Sequence, residues 1–206
     1  MKIYDFPAFP NPLRVRIALA EKGLTDDVTF ELVDVPNGAH RKPEYVAKNP
    51  DAGVPLLELE DGTLISECAS ITEYIDHRTG EPTLTGKTPR DRAVISMMQR
   101  RAEQGLLDAV ATYFHHATPG LGPDIETDQV PEWGERQRSR ALKSMRYLNK
   151  VLTEQPYLAG KDFTIADITA YAGLVFADFA KIDVPADCPA LSEWRARMET
   201  RPSIAA

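Results

Sequence analysis

The sequence predicts a mixed α/β domain followed by an all-α domain. Three observations carry that reading. The first eighty residues alternate strand and helix signals; the stretch Gly80-Glu81-Pro82-Thr83-Leu84-Thr85-Gly86-Lys87-Thr88-Pro89 is dense in breakers; and strong strand patterns do not return beyond it. The expected organisation is residues 1–79 as the α/β domain, 80–89 as linker and 90–206 as the helical domain.

Residues Lys2 to Phe6 read as a short strand. A first helix follows over Asn11 to Lys22, with Asn11 as N-cap, Pro12 at the first helical position and Gly23 just past the end. Val28 to Val35 is a β-branched-rich strand, Pro36 to Asn49 is polar and irregular, and Pro55 to Leu59 with Thr63 to Ser66 flank the turn Asp61-Gly62 as a hairpin. A helix over about Glu67 to Arg78 carries Ile71, Tyr74 and Ile75 at core-facing spacing. In the second half the patterns predict one long helix from Pro89 to about His116, then Trp133 to Leu152, Ile165 to about Phe179, and Ala190 to Arg201. The run Phe163-Thr164-Ile165-Ala166-Asp167-Ile168 is a helix start: Thr164 caps, Asp167 returns the bond from the third helical position, and Phe163 staples onto Ile168. Its role is structural.

Composition narrows the function classes. Of 206 residues, 43% are apolar, enough for a real core. The formal charge of −7 argues against a nucleic-acid partner, because that binding needs clustered Lys and Arg to displace counterions. No apolar stretch approaches the roughly 18 residues of a membrane span, and the start MKIYDFPAFP lacks the features of a signal peptide, so a cytoplasmic protein away from membranes is expected. Cys68 and Cys188 lie too far apart in the chain for a zinc pattern or a disulfide framework, so no metal is expected.

Two segments carry chemistry. In Asp51-Ala52-Gly53-Val54-Pro55-Leu56-Leu57 a proline opens a strand, either as an ordinary edge-strand proline or with a cis bond that can turn Val54 so that its backbone N–H and C=O face solvent and grip an extended peptide. In Ile65-Ser66-Glu67-Cys68-Ala69 a strand runs directly into a helix, which offers free N–H groups and a positive dipole end to a carboxylate while Glu67 pairs with an ammonium. Together they suit the zwitterionic end of an amino acid.

The order of strand, Pro-rich turn, IALAEKG helix, GVPLLEL, DGTLISECASITEYID, PTLTGKTP and FTIADITAY resembles glutathione transferases across nearly the whole chain. It is most similar to an atypical fungal and bacterial group in which no tyrosine, serine or cysteine of the first domain activates the thiol. The resemblance implies a thioredoxin-like α/β domain that binds glutathione, an all-α domain that holds a small apolar electrophile, conjugation as the reaction, a detoxification role and a homodimer. It also implies that Val54, before Pro55, binds the cysteinyl part and that Glu67-Cys68 binds the γ-glutamyl end, with Cys68 standing where most families have serine. The cation for the glycyl carboxylate comes from the segment containing His40-Arg41-Lys42 and Lys48, with His40 and Lys48 as candidates.

Aligned on the IALAEKG helix, Phe9 and Asn11 occupy the positions of the usual Ser or Cys, and neither is an acid–base group. Tyr4 is the remaining phenol, but it lies inside the first strand. The first-helix dipole can help hold a thiolate, and the resemblance implies that a hydroxyl and a histidine of the helical domain fix a water that completes the activation. Tyr113-Phe114-His115-His116 ends the long helix, with Tyr113 and Phe114 for the second substrate and His115 or His116 for the water. Ala111, one turn before His115, supplies no hydroxyl, which leaves Thr112 or a backbone group. Two rival readings are a non-catalytic binding module of the same fold and a glutathione-dependent thiol oxidoreductase working through Cys68.

Overall fold

The computed structural model describes residues 1–205, which divide into two compact units, the first Met1–Leu84 and the second beginning at Thr85. In the first, strands β1 (Lys2–Asp5), β2 (Thr29–Leu32), β3 (Leu56–Glu58) and β4 (Leu64–Ile65) form one sheet in the order β2-β1-β3-β4. β1 and β2 are parallel, joined through helix α1 (Pro10–Glu21); the β1/β3 and β3/β4 pairs are antiparallel. Alternation of side chains along a strand then sorts the residues. Ile3 and Leu57 face Val15 and Leu19 of α1 and Cys68, Ile71 and Ile75 of α3 (Cys68–Arg78). Tyr4 points to the other face and meets the Tyr45 ring edge-on at 6.2 Å, from the short helix α2 (Pro43–Val46).

Helix α1 starts two residues earlier than the N-cap signal suggested. Phe9 is the N-cap, without a side-chain hydrogen bond, and Pro10 opens the helix, so Asn11 lies inside the first turn. First-turn N–H groups have no intrahelical acceptor, so both Pro10 and Pro12 are tolerated there and the earlier start loses no backbone bond. The other end is as expected: Gly23, at φ 65°, donates to Ala20 at 3.1 Å, and Leu24 donates back to Leu19 at 2.9 Å, a closed C-cap. The stretch expected to be irregular contains α2 and a turn of 3₁₀ helix over Ala39–Arg41, both too short to show a period.

An internal ion pair closes this unit. Asp76, fully buried on α3, accepts the N–H groups of Thr83 and Leu84 at 3.0 Å each, and Lys22 at the end of α1 lies 3.0 Å from its carboxylate. Lys22 also donates to the Glu81 carbonyl. The chain leaving α3 is thereby tied to α1.

The second unit contains α4 (Pro89–Ala102), α5 (Asp108–Ala117), α6 (Pro131–Leu152), α7 (Ile165–Phe179), α8 (Pro189–Glu199) and α9 (Pro202–Ala205). The single helix expected from Pro89 to His116 is interrupted by a π-helical turn, Glu103–Leu107, which buries Leu106 and Leu107. One extra residue in a turn shifts helix phase, and apolar periodicity alone does not reveal it. α7 is buried almost throughout and begins with the expected box: Thr164 accepts from Ala166 N–H, and the Asp167 carboxylate accepts from Thr164 N–H at 3.0 Å. Asp167 does more than cap. It also receives Leu158 N–H at 2.9 Å and the indole N–H of buried Trp194 at 3.2 Å, so α7, α8 and the preceding loop meet at one carboxylate. Burial pushes this acid up to about 6, against the pull of those donors. Among the described residues no helix is long and apolar enough to cross a membrane.

Candidate functional site

In the first unit, three of the sequence-derived segments emerge at one end of the sheet. β1 pairs Tyr4 with Leu56, and β3 pairs Leu57 with Ile65. Continuing those registers sets Phe6 opposite Val54 and Pro55 opposite Glu67. The turn to Phe9 and Asn11, the Val54-Pro55 step and the start of α3 therefore lie together. A direct contact joins the starts of α3 and α1: the Cys68 thiol donates to the Asn11 carbonyl at 3.4 Å.

The Val54–Pro55 bond is cis, and Val54 is half-buried immediately before β3. The loop in front of it is pinned from α2 and its C-terminal side. Tyr45 Oη donates to the Gly53 carbonyl at 2.7 Å and Asn49 Nδ2 to the same oxygen at 2.8 Å. Burial of the Tyr45 phenol pushes its pKa up to about 12, so it stays a donor through the physiological range. Neither residue was singled out from the sequence, and the segment's lack of periodicity gave no signal.

Glu67 is exposed, at φ 68° and ψ 120°, as the N-cap of α3. Positive φ costs an L-residue energy, and a side chain held there commonly marks a working position. Among the described residues its carboxylate has no ion-pair partner. Cys68 is buried, with its thiol directed at a carbonyl, an environment that does not favour thiolate chemistry.

The two candidates for a carboxylate contact differ. His40 is buried in the 3₁₀ turn, and its Nδ1 has no hydrogen-bond partner; burial and then the Arg41 charge lower its pKa. Lys48 is engaged on the outer face of the sheet, bonded to the Tyr4 hydroxyl, 4.3 Å from the Tyr4 ring centre and 3.5 Å from Glu58. The Tyr4 bond is the main reason the Lys48 pKa is raised. Tyr4 itself donates to Glu58, so its hydroxyl is committed on both sides.

In the second unit, α5 ends in Tyr113, Phe114, His115 and His116. The Phe114 ring packs against Phe176 and Phe179 of α7 at 5.4 and 5.5 Å, and edge-on to the His115 ring at 5.0 Å. Arg138 lies 5.9 Å from the Tyr113 ring centre. The two histidines have opposite roles. His116 Nδ1 accepts the Val130 N–H at 3.0 Å and so carries no hydrogen there. His115 Nδ1 faces the Glu126 carboxylate at 2.7 Å, and an ionised carboxylate there only accepts. Thr112, named as the substitute hydroxyl, donates to Asp108 of its own helix at 2.8 Å. Glu126 was missed, because it lies eleven positions beyond His115, across the loop that follows α5; the turn-rich Gly120-Leu121-Gly122-Pro123 was the available hint.

Comparison with known proteins agrees in both halves. The family model for the glutathione S-transferase N-terminal domain matches residues 10–78, and that for the C-terminal domain matches residues 109–202. Glutathione S-transferase 2 of Saccharomyces cerevisiae is 57% identical over 204 residues, 99% of this chain and 88% of that protein. The crystal structure of Gtt2 from Saccharomyces cerevisiae superposes with a TM-score of 0.99 at 57% identity, covering 100% of this chain and 99% of that one. A glutathione S-transferase domain-containing protein from Marinobacter aquaeolei VT8 gives 0.97 at 62% identity, over 99% and 100% of the two chains. The thioredoxin-like α/β domain with a helical domain is thus the fold of this chain as well as of its relatives, and the chain belongs to the glutathione S-transferase family, as an enzyme of glutathione transferase type.

Proposed function

We propose that residues 1–79 bind glutathione, that residues 90–206 hold a small apolar electrophile, and that the enzyme conjugates the two without a tyrosine, serine or cysteine of its first domain as thiol activator. Val54 binds the cysteinyl backbone, Glu67 the γ-glutamyl ammonium, Cys68 N–H the adjoining carboxylate, and His40 the glycyl carboxylate. The observation that carries this reading is the start of α1. Pro10 and Pro12 have no N–H, so Asn11 supplies the backbone donor of the first turn, at a helix end next to Cys68 and without any acidic side chain in that turn.

A free thiol titrates near 8.5, and each unit of lowering takes about 1.4 kcal/mol of preferential anion stabilisation. The Asn11 N–H and the helix dipole supply part of it, and a water held by His115 supplies the rest. The two existing bonds of the Tyr4 hydroxyl, to Glu58 and from Lys48, speak against this role for it. The family's homodimer belongs to the same proposal and is checked by sedimentation equilibrium. The activity is tested by titrating glutathione calorimetrically and following bound thiolate by ultraviolet absorbance across pH. Thiolate at neutral pH in the wild type and in Tyr4→Phe, with a reduced signal in His115→Ala, supports the mechanism. Loss of thiolate in Tyr4→Phe alone replaces it with a phenol mechanism, and absence of glutathione binding removes the reading altogether.

A further inference from the structure

His115 and Glu126 are joined by more than a surface ion pair. The Glu126 side chain is only 9% exposed, whereas the Arg146–Asp187 pair of the same unit is 53% and 61% exposed. Backbone places the carboxylate. Its Oε1 accepts the Leu121 N–H at 2.8 Å, and Glu126 N–H returns to the Gly122 carbonyl at 2.9 Å. Gly120 makes room: at φ 55°, a Cβ there would lie 2.3 Å from Oε1 and 2.6 Å from Cδ, so both the conformation and the space require glycine. The loop is fastened to the end of α5 by Gln129, whose Nε2 donates to the His115 and Thr118 carbonyls at 2.7 Å each, and by the Val130 bond to His116. The carboxylate is therefore fixed independently of the imidazole it meets.

We propose that Glu126 is a positioning residue for His115, holding hydrogen on Nδ1 so that Nε2 is the bare nitrogen offered to the water or thiol that the histidine serves. The ring is held on one side by the carboxylate at 2.7 Å and braced by the edge-on Phe114 ring at 5.0 Å. Nε2 has no hydrogen-bond partner among the described residues, and the side chain is 40% exposed. A neutral imidazole bears one hydrogen, so fixing it on Nδ1 makes Nε2 an acceptor. In the step this serves, the glutathione S–H proton passes through water to Nε2. Thiolate is left on sulfur, and the imidazolium formed already donates its Nδ1–H to Glu126. The inference rests on the reading above that His115 takes part in thiol activation, and the experiment separates the two.

Two measurements on the full chain decide it. The ¹⁵N shifts of His115 in histidine-labelled wild type report the tautomer directly. Hydrogen on Nδ1 is expected in the wild type and in Glu126→Gln, whose amide oxygen is still demanded by the Leu121 N–H, and a shift toward hydrogen on Nε2 is expected in Glu126→Ala. Turnover with glutathione and an aryl halide then gives a double-mutant cycle. Glu126→Ala is expected to lower kcat about tenfold, part of the 10²–10⁴ that a positioned acid–base group gives, with little change in the KM for glutathione. In a His115→Ala background the same change is expected to cost nothing further. Arg146→Ala, which breaks the exposed pair with Asp187 elsewhere in the same unit, is expected to stay near wild type. Wild-type His115 with hydrogen on Nε2 overturns the proposal even if every variant fails to fold. Additive losses in the cycle also overturn it, leaving Glu126 as a tie for the loop. If His115→Ala keeps full kcat, the role of His115 falls and takes the proposal with it, a result distinguishable because the tautomer is read separately.

Discussion

Replacing Glu67 by alanine and by glycine separates its conformational cost from its function. At φ 68° an L-residue is penalised by about 1–2 kcal/mol relative to right-handed backbone, and glycine is not, although its greater freedom in the unfolded chain returns about 0.5–1 kcal/mol of that. Alanine keeps the strain and removes only an exposed side chain with no ion-pair partner among the described residues, so Glu67→Ala should melt within about 0.5 kcal/mol of wild type. Glu67→Gly should be more stable than Glu67→Ala by up to about 1 kcal/mol, a rise in Tm of about 2–4 °C for a chain of this size. Both should bind glutathione more weakly. A charge-assisted bond is commonly worth about 1.5–3 kcal/mol, and the exposure of Glu67 puts its loss at the lower end, about tenfold in Kd. Differential scanning calorimetry and isothermal titration calorimetry read the two effects on the same samples. Equal melting of the alanine and glycine variants would refute the strain argument, and unchanged affinity in both would remove Glu67 from the binding site.

Asp76→Ala leaves the Lys22 ammonium and two backbone N–H groups without their buried acceptor, so urea unfolding should show a loss of about 3–5 kcal/mol; a loss below about 1 kcal/mol would mean that water replaces the carboxylate. Asp167 has a folded-state pKa raised to about 6 from 3.8, so its stabilising contribution is complete below the unfolded value and disappears as pH rises through about 6. Wild type should therefore lose about 2 kcal/mol more than Asp167→Asn between pH 4.5 and 7, and parallel pH profiles of the two proteins would contradict the assigned shift. Cys68→Ser should keep or slightly improve glutathione affinity, since a hydroxyl is a stronger donor than the thiol that now donates to the Asn11 carbonyl; complete loss of turnover would instead favour the oxidoreductase reading.

What was legible in the sequence has a local cause. The hairpin around Asp61-Gly62, the Gly23 stop and the Thr164–Asp167 box are each set by residues within a few positions of one another, and each formed as read. The start of α1 was misplaced because Pro10 and Pro12 both satisfy the rule for a first helical residue, and the choice between them leaves no trace in the pattern. The π-turn at Glu103–Leu107 escaped for a related reason, since Leu106 and Leu107 remain apolar whichever phase the helix takes. Interactions across sequence distance were invisible. Asp76 reads as a polar residue on a helix end until Thr83 and Leu84 fold back onto it, and Glu126 reads as a loop acid until it meets His115. Lys48 was legible as a cation, but its commitment to Tyr4 and Glu58 depends on strand register.

These differences bear on how the thiolate is held. Bringing a thiol from 8.5 to about 6.5 takes two units, or about 2.7 kcal/mol of selective stabilisation. One hydrogen bond from the Asn11 N–H to an anion supplies about 1.5–3 kcal/mol, and the helix end adds about 0.3–1 kcal/mol. Under the proposed mechanism the backbone at the start of α1 would thus approach the requirement without an acid–base side chain in that turn. A backbone donor cannot be removed by ordinary substitution, but it cannot accept a proton either. The thiol proton still needs an acceptor, which no group in the first turn of α1 is; whether the proposed open nitrogen of His115 serves as one is what the double-mutant cycle with Glu126 reads.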